Sequence, residues 1–140
     1  MIDFHYETDF SLSERDKYSS WINSICKSEE YSSGELNYIF CDDAYLLNIN
    51  QQYLQHDTYT DIITFDYTSG KVLSGDIYIS VERVKENSIR FNVSFENELL
   101  RVMAHGILHL MGYKDKKKED IKEMRKKEEE KINMFHVEHK

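Results

Sequence analysis

The order of apolar and polar positions predicts nine segments. Ile2-Asp3-Phe4-His5-Tyr6 alternates, as a first strand does. Tyr18, Trp21, Ile22, Ile25 and Cys26 recur at helical spacing and predict an amphipathic helix over 14–28. Ser11 or Ser13 is placed to cap it, and Ser13 with Asp16 forms a relative of the capping box. Ser32-Ser33-Gly34 reads as punctuation before a strand over 35–40. Asp42 or Asp43 then caps a helix carrying Ala44, Leu46, Leu47, Ile49, Asn50 and Tyr53, which stops near His56-Asp57-Thr58-Tyr59.

Thr60-Asp61-Ile62-Ile63-Thr64-Phe65-Asp66-Tyr67 is β-branched and aromatic, the strongest strand signal in the chain. Thr68-Ser69-Gly70-Lys71 makes a turn, and Val72-Leu73 with 75–80 supplies the hairpin partner. Ser80 caps a helix over 81–90, and Ser94 opens a long, strongly apolar helix. The last helix runs from about Lys118 to Asn133 on a sparse stripe of Ile121, Met124 and Ile132. The order β-α-β-α-β-β-α-α-α predicts an α+β domain: a four-stranded mixed sheet packed by about five helices, with the long helix central. A single domain is expected over 1–134, with 135–140 as a frayed tail.

Composition narrows the class. The chain has 140 residues, enough for a core without staples. No run approaches the roughly 18 apolar residues of a membrane span, and no basic stretch followed by an apolar one marks a secretory signal. Cys26 and Cys41 form no C-x-x-C, so reduced thiols in a cytoplasm are expected. The net charge of −8 argues against a general polyanion binder. Residues 114–131 nonetheless hold nine Lys/Arg against seven Asp/Glu, which leaves room for a modest basic patch there.

The chemistry concentrates in the long helix. His105 and His109 are four residues apart, roughly 40° around a helix and one turn along it, so both imidazoles can face one metal ion. Gly112 suits the left-handed position that ends a helix, and the returning chain can present Asp115 as a third ligand. Two histidines and a carboxylate with an open position form a catalytic zinc arrangement. The residue after the first histidine is Gly106 rather than Glu, so the general base of helical zinc proteases is missing from its usual place. His5 reads as a strand residue, and His136 and His139 as part of the tail.

Three linked segments resemble one family. They are Asn50-Gln51-Gln52-Tyr53 with Asp57 and Thr60-Asp61-Ile62-Ile63-Thr64-Phe65; Gly75-Asp76-Ile77-Tyr78-Ile79-Ser80; and His105-Gly106-Ile107-Leu108-His109-Leu110-Met111-Gly112-Tyr113. In order and spacing they resemble the bacterial YbeY family over residues 1–134. The resemblance implies a cytoplasmic, zinc-dependent endoribonuclease with one Zn²⁺ per chain, acting on single-stranded RNA. It further implies 16S rRNA 3′-end maturation, ribosome quality control, and ribosomal particles, ribosomal proteins or assembly factors as partners.

Two departures stand out. The family continues Gly-Tyr-Asp-His, with that His as third ligand; here Lys114 and Asp115 follow, and Asp115 falls on the ligand position. A carboxylate there adds negative charge and makes the zinc a slightly weaker Lewis acid. Leu54 stands where many members carry an Arg facing the substrate channel. Lys114, Lys116, Lys117 and Arg125 are the candidates for phosphate contacts, and Tyr59, Tyr67 and Tyr113 for stacking on bases. The general base stays open among metal hydroxide, the substrate's 2′-hydroxyl and Asp61. Two alternatives remain: a non-catalytic, zinc-stabilised ribosome-assembly factor, and a zinc peptidase-like hydrolase.

Overall fold

The computed structural model describes residues 1–54 and 60–138. Its elements run β1 (Ile2–Tyr6), α1 (Arg15–Ser28), β2 (Ser32–Cys41), α2 (Asp43–Leu54), β3 (Ile62–Asp66), β4 (Val72–Ser80), α3 (Val81–Arg90), α4 (Phe95–Leu110) and α5 (Lys118–Glu138). The four strands form one sheet in the order β1-β2-β4-β3, parallel except for β3, which pairs antiparallel with β4. Parallel neighbours need long crossovers, and α1 supplies the one between β1 and β2; β3 and β4 need only the short turn around Gly70. This is the α+β architecture with a mixed sheet that the residue pattern predicts.

Alternation sorts the strand residues onto two faces. Phe4, Leu36, Tyr38, Phe40, Leu73, Ile77 and Ile79 face the main core, which α1 and α4 complete with Trp21, Ile22, Leu100, Met103 and Ile107. On the opposite face Cys41 and Ile63 meet Leu46 of α2 in a smaller cluster with Phe65 and Tyr78. Both thiols are free and serve as packing groups; burial pushes Cys26 up to about 11 and Cys41 up to about 12.

The caps follow the predicted chemistry with one exception. The Tyr45 amide donates to Asp42 Oδ1 at 2.8 Å, and the Arg83 amide to Ser80 Oγ at 3.2 Å. At α1, however, neither Ser11 nor Ser13 caps the helix: the N-cap is Glu14, whose side chain makes no capping bond. Ser32-Ser33-Gly34 is also not a break. It is the start of β2, where Ser32 and Ser33 pair with Val72 and Leu73 before a register shift.

The largest correction concerns the C-terminal segment. α5 does not end at Asn133 but continues to Glu138, because Phe135 is a core residue. Its ring lies 5.1 Å from Tyr18 and 5.4 Å from Trp21, the latter edge-to-face. His139 and Lys140 lie outside the described residues. Ile121, placed in the apolar stripe by spacing, is exposed. The true stripe is Met124, Glu128, Lys131, Ile132 and Phe135, all buried.

A buried ammonium needs partners, and Lys131 has them. It is 0% exposed and donates to Glu29 Oε2 at 2.8 Å and Ser28 Oγ at 2.9 Å. Lys127 reaches the same Glu29 oxygen at 2.9 Å, and the Tyr113 hydroxyl donates to Glu29 Oε1 at 2.7 Å. Burial alone would raise the Glu29 carboxyl, but these three donors outweigh it and hold it at about 2. Its stabilising contribution is therefore complete above the ordinary value of 4.5 and is lost as pH falls from there through about 2. Glu29→Gln is expected to lower stability at neutral pH by about 1–3 kcal/mol and to flatten the acid limb of a pH–stability curve followed by circular dichroism. A variant that loses stability with acid as steeply as the parent would remove this assignment.

Candidate metal centre

α4 holds two of the predicted ligands near its end. Ser94 caps the helix, accepting from the Asn97 amide at 3.0 Å. Around the rest of its circumference the helix is buried, from Leu99 and Leu100 to Ile107 and Leu108. The reason for Gly106 is on the sheet side: a Cβ there would sit 2.9 Å from Ile77 Cγ2 and 3.0 Å from Ile62 Cδ1. Glycine thus lets α4 lie close on β3 and β4.

The helix then stops as its sequence predicts. Gly112 has φ of 100°, the Gly112 amide donates to the His109 carbonyl at 3.0 Å, and the Tyr113 amide to the Leu108 carbonyl at 3.0 Å. This is the Schellman pattern, and it turns the chain back over the helix end. Tyr31, just before β2, and Glu29, which caps the end of α1, tie the turn down through Met111 and Tyr113.

Asp115 Oδ2 lies 3.2 Å from His105 Nε2 and 3.3 Å from His109 Nε2. One ligand atom from each of the three residues falls within 4.8 Å of the others. A tetrahedral zinc with bonds of about 2.0–2.1 Å has donor–donor edges of about 3.3 Å, so the spacing suits that ion. Electrostatics point the same way. His105 Nδ1 is 2.6 Å from Glu128 Oε2, and a carboxylate can only accept. In a neutral His105 the Nδ1–H is therefore taken, and Nε2 presents a lone pair to the Asp115 oxygen. Acceptors converging in this way call for a cation between them. Burial lowers the His105 pKa, but Glu128, Asp115 and Asp61 together outweigh it and raise the imidazole above its ordinary value. The field that favours a proton there also favours a metal.

A cavity of about 350 Å³ opens beside the ligands, with Asp61, Ile62, His105, Asp115 and Arg125 on its walls. Burial raises the Asp61 carboxyl, and nearby His105 opposes this only in part. Arg125 thus stands with the ligands, its guanidinium bonded to Glu128 at 3.3 Å. Lys114 lines a different hollow, beside Glu29, Tyr31 and Lys71. Lys116 and Lys117 are exposed on the connection to α5. Tyr113 is committed to Glu29, and Tyr67 is exposed beyond the end of β3. Leu54 is exposed at the end of α2. His136 is exposed against Phe135 and is not part of the ligand group. His5 bonds Asn37 across the sheet. Tyr59, His56 and Asp57 lie outside the described residues.

Sequence reasoning missed Glu128, which is only 2% exposed yet touches His105, Arg101 and Arg125. A signal existed. Glu128 stands four residues after Met124 and four before Ile132, inside an apolar stripe, where a charged residue must have a buried partner.

Comparison with known proteins places this geometry in context. The profile of the family described as Endoribonuclease YbeY matches residues 3–136. A protein of Flavobacterium johnsoniae named Endoribonuclease YbeY is 61% identical over 138 residues, covering 99% of both chains. A protein of the same name from Bacteroides fragilis is 55% identical over 98 residues, 70% of each chain. The solution structure of TM1509 from Thermotoga maritima superposes with a TM-score of 0.74 at 32% identity, covering 99% of this chain and 91% of that one.

Proposed function

The chain belongs to the YbeY family, and from that membership and the converging donor set we propose that it is a zinc-dependent endoribonuclease cutting single-stranded RNA. The observation that carries the metal part is the approach of one Asp115 oxygen to both histidine Nε2 atoms at 3.2 and 3.3 Å. His105, His109 and Asp115 would hold one ion per chain. When bound, zinc supplies polarisation of a phosphoryl oxygen or a water of lowered pKa.

The chain's own residues supply the rest. Asp61, raised by burial and on the wall of the same cavity, is suited to carry a proton to or from the reacting oxygens. Arg125, 56% exposed along its side chain, can meet a phosphate entering the cavity. Lys114 and Lys116 flank Asp115 in sequence and can meet the backbone on either side of it. Gly106 puts no carboxylate after the first histidine, which disfavours peptide cleavage. Family membership supports 16S rRNA as the substrate, in 3′-end maturation and ribosome quality control in the cytoplasm.

The test is cleavage of end-labelled single-stranded and duplex rRNA fragments by zinc-loaded protein, with and without a chelator. Cutting of the single strand alone, lost on chelation and restored by zinc, is expected. Cleavage indifferent to the chelator would overturn the metal part, and no cleavage of any RNA would overturn the enzymatic reading.

A further inference from the structure

Among the described residues of α5, Glu128 is the carboxylate bonded to the ligand group, and its bonds divide cleanly between its oxygens. Oε2 takes His105 Nδ1 at 2.6 Å. Oε1 accepts from Arg101 and Arg125, each at 3.3 Å. The two guanidinium groups neutralise the buried charge and fix the plane of the carboxylate, so Oε2 has one direction left to face. Arg101 is itself held between Glu98 and Glu129, both at 3.3 Å.

Resting on the metal reading above, we propose that Glu128 is a positioning residue: its hydrogen bond locks His105 with the proton on Nδ1 and Nε2 aimed at the metal. A free imidazole divides its proton between the two nitrogens and turns about its side-chain bonds. Either freedom withdraws the Nε2 lone pair from the point it shares with His109 and Asp115. A carboxylate behind the ring removes both and makes the coordinating nitrogen more electron-rich. α5 thereby contributes to the centre without contributing a ligand. His109 has its Nε2 on Asp115, and among the bonds described its ring has no carboxylate behind it, so the ordering falls on His105.

The experiment compares the full chain with Glu128→Gln, Glu128→Ala and, as a comparator of stability alone, Lys131→Met. Zinc affinity is measured by competition with a chromophoric chelator. The Nδ1–H proton of His105 is followed by NMR in the zinc-loaded proteins. The alanine variant is expected to bind zinc about 10–100-fold more weakly and to lose the downfield, hydrogen-bonded Nδ1–H signal. The glutamine variant, whose amide oxygen can still accept, should fall between alanine and parent with its signal shifted upfield; it carries the readout if the alanine variant does not fold. Lys131→Met should lower stability without moving zinc affinity. Parent-like affinity in both Glu128 variants, an unchanged Nδ1–H signal, or an equal loss in Lys131→Met would overturn the proposal. A parent protein that takes up no zinc would overturn both this proposal and the metal reading, whatever the outcome with RNA.

Discussion

His109→Ala is expected to abolish zinc retention and RNA cleavage while leaving the protein folded. The side chain lies on the last turn of α4, partly exposed, and its described polar contact is the 3.3 Å approach to Asp115. Alanine is the best helix former, so the backbone has no reason to change there. The metal-free variant should unfold within about 1 kcal/mol of the metal-free parent. The site would keep only one imidazole and one carboxylate, below the three protein ligands of catalytic zinc centres. A fall of at least about a thousandfold in cleavage, equivalent to about 4 kcal/mol of barrier, is expected. Metal content after gel filtration, unfolding in chelator and cleavage with added zinc separate these quantities. A folded variant that cuts at the parent's rate would remove His109 from the site.

Phe135→Ala is expected to destabilise the protein strongly, although the residue lies far from the ligands. The ring is 1% exposed, wedged against Tyr18 and Trp21, with the Lys17 ammonium 4.6 Å above its face. Emptying such a site costs about 3–5 kcal/mol, the lost burial plus the cavity left behind. For a domain of this size that lowers Tm by roughly 10 °C. A frayed terminus would give a change within about 0.5 kcal/mol. Urea unfolding decides between them. The loss should reach the metal centre as well, because Phe135 seats the helix that carries Glu128 two turns earlier.

Much of this was legible because it is local. The strand and helix periods, the Asp42, Ser80 and Ser94 caps and the Gly112 stop each depend on a few neighbouring residues. The His105–His109 pair is one helical turn, and Asp115 needs only that the chain turn back at Gly112. What escaped depends on residues distant in sequence. Lys131 looks like a solvated charge until Glu29 and Ser28, 102 and 103 residues earlier, are seen beside it. Glu128 looks the same until His105 is placed against it, 23 residues away. Phe135 follows a run so charged that its burial shows only through Tyr18 and Trp21. Ser32-Ser33-Gly34 has turn composition, and pairing with Val72 and Leu73 overrides it.

The packing of α1 against α5 also equips the molecule with an optical reporter. The chain has one tryptophan, Trp21. Its indole is fully buried, meets Phe135 edge-to-face at 84°, and donates from Nε1 to the Lys131 carbonyl at 2.7 Å. That carbonyl belongs to the helix turn that follows Glu128. Lifting α5 from α1 therefore wets the only indole in the protein and breaks its bond in one event. Emission that stays blue while zinc is lost reads a ligand defect with the helix still seated. Emission that moves red reads a helix that has left, before any assay of RNA is run.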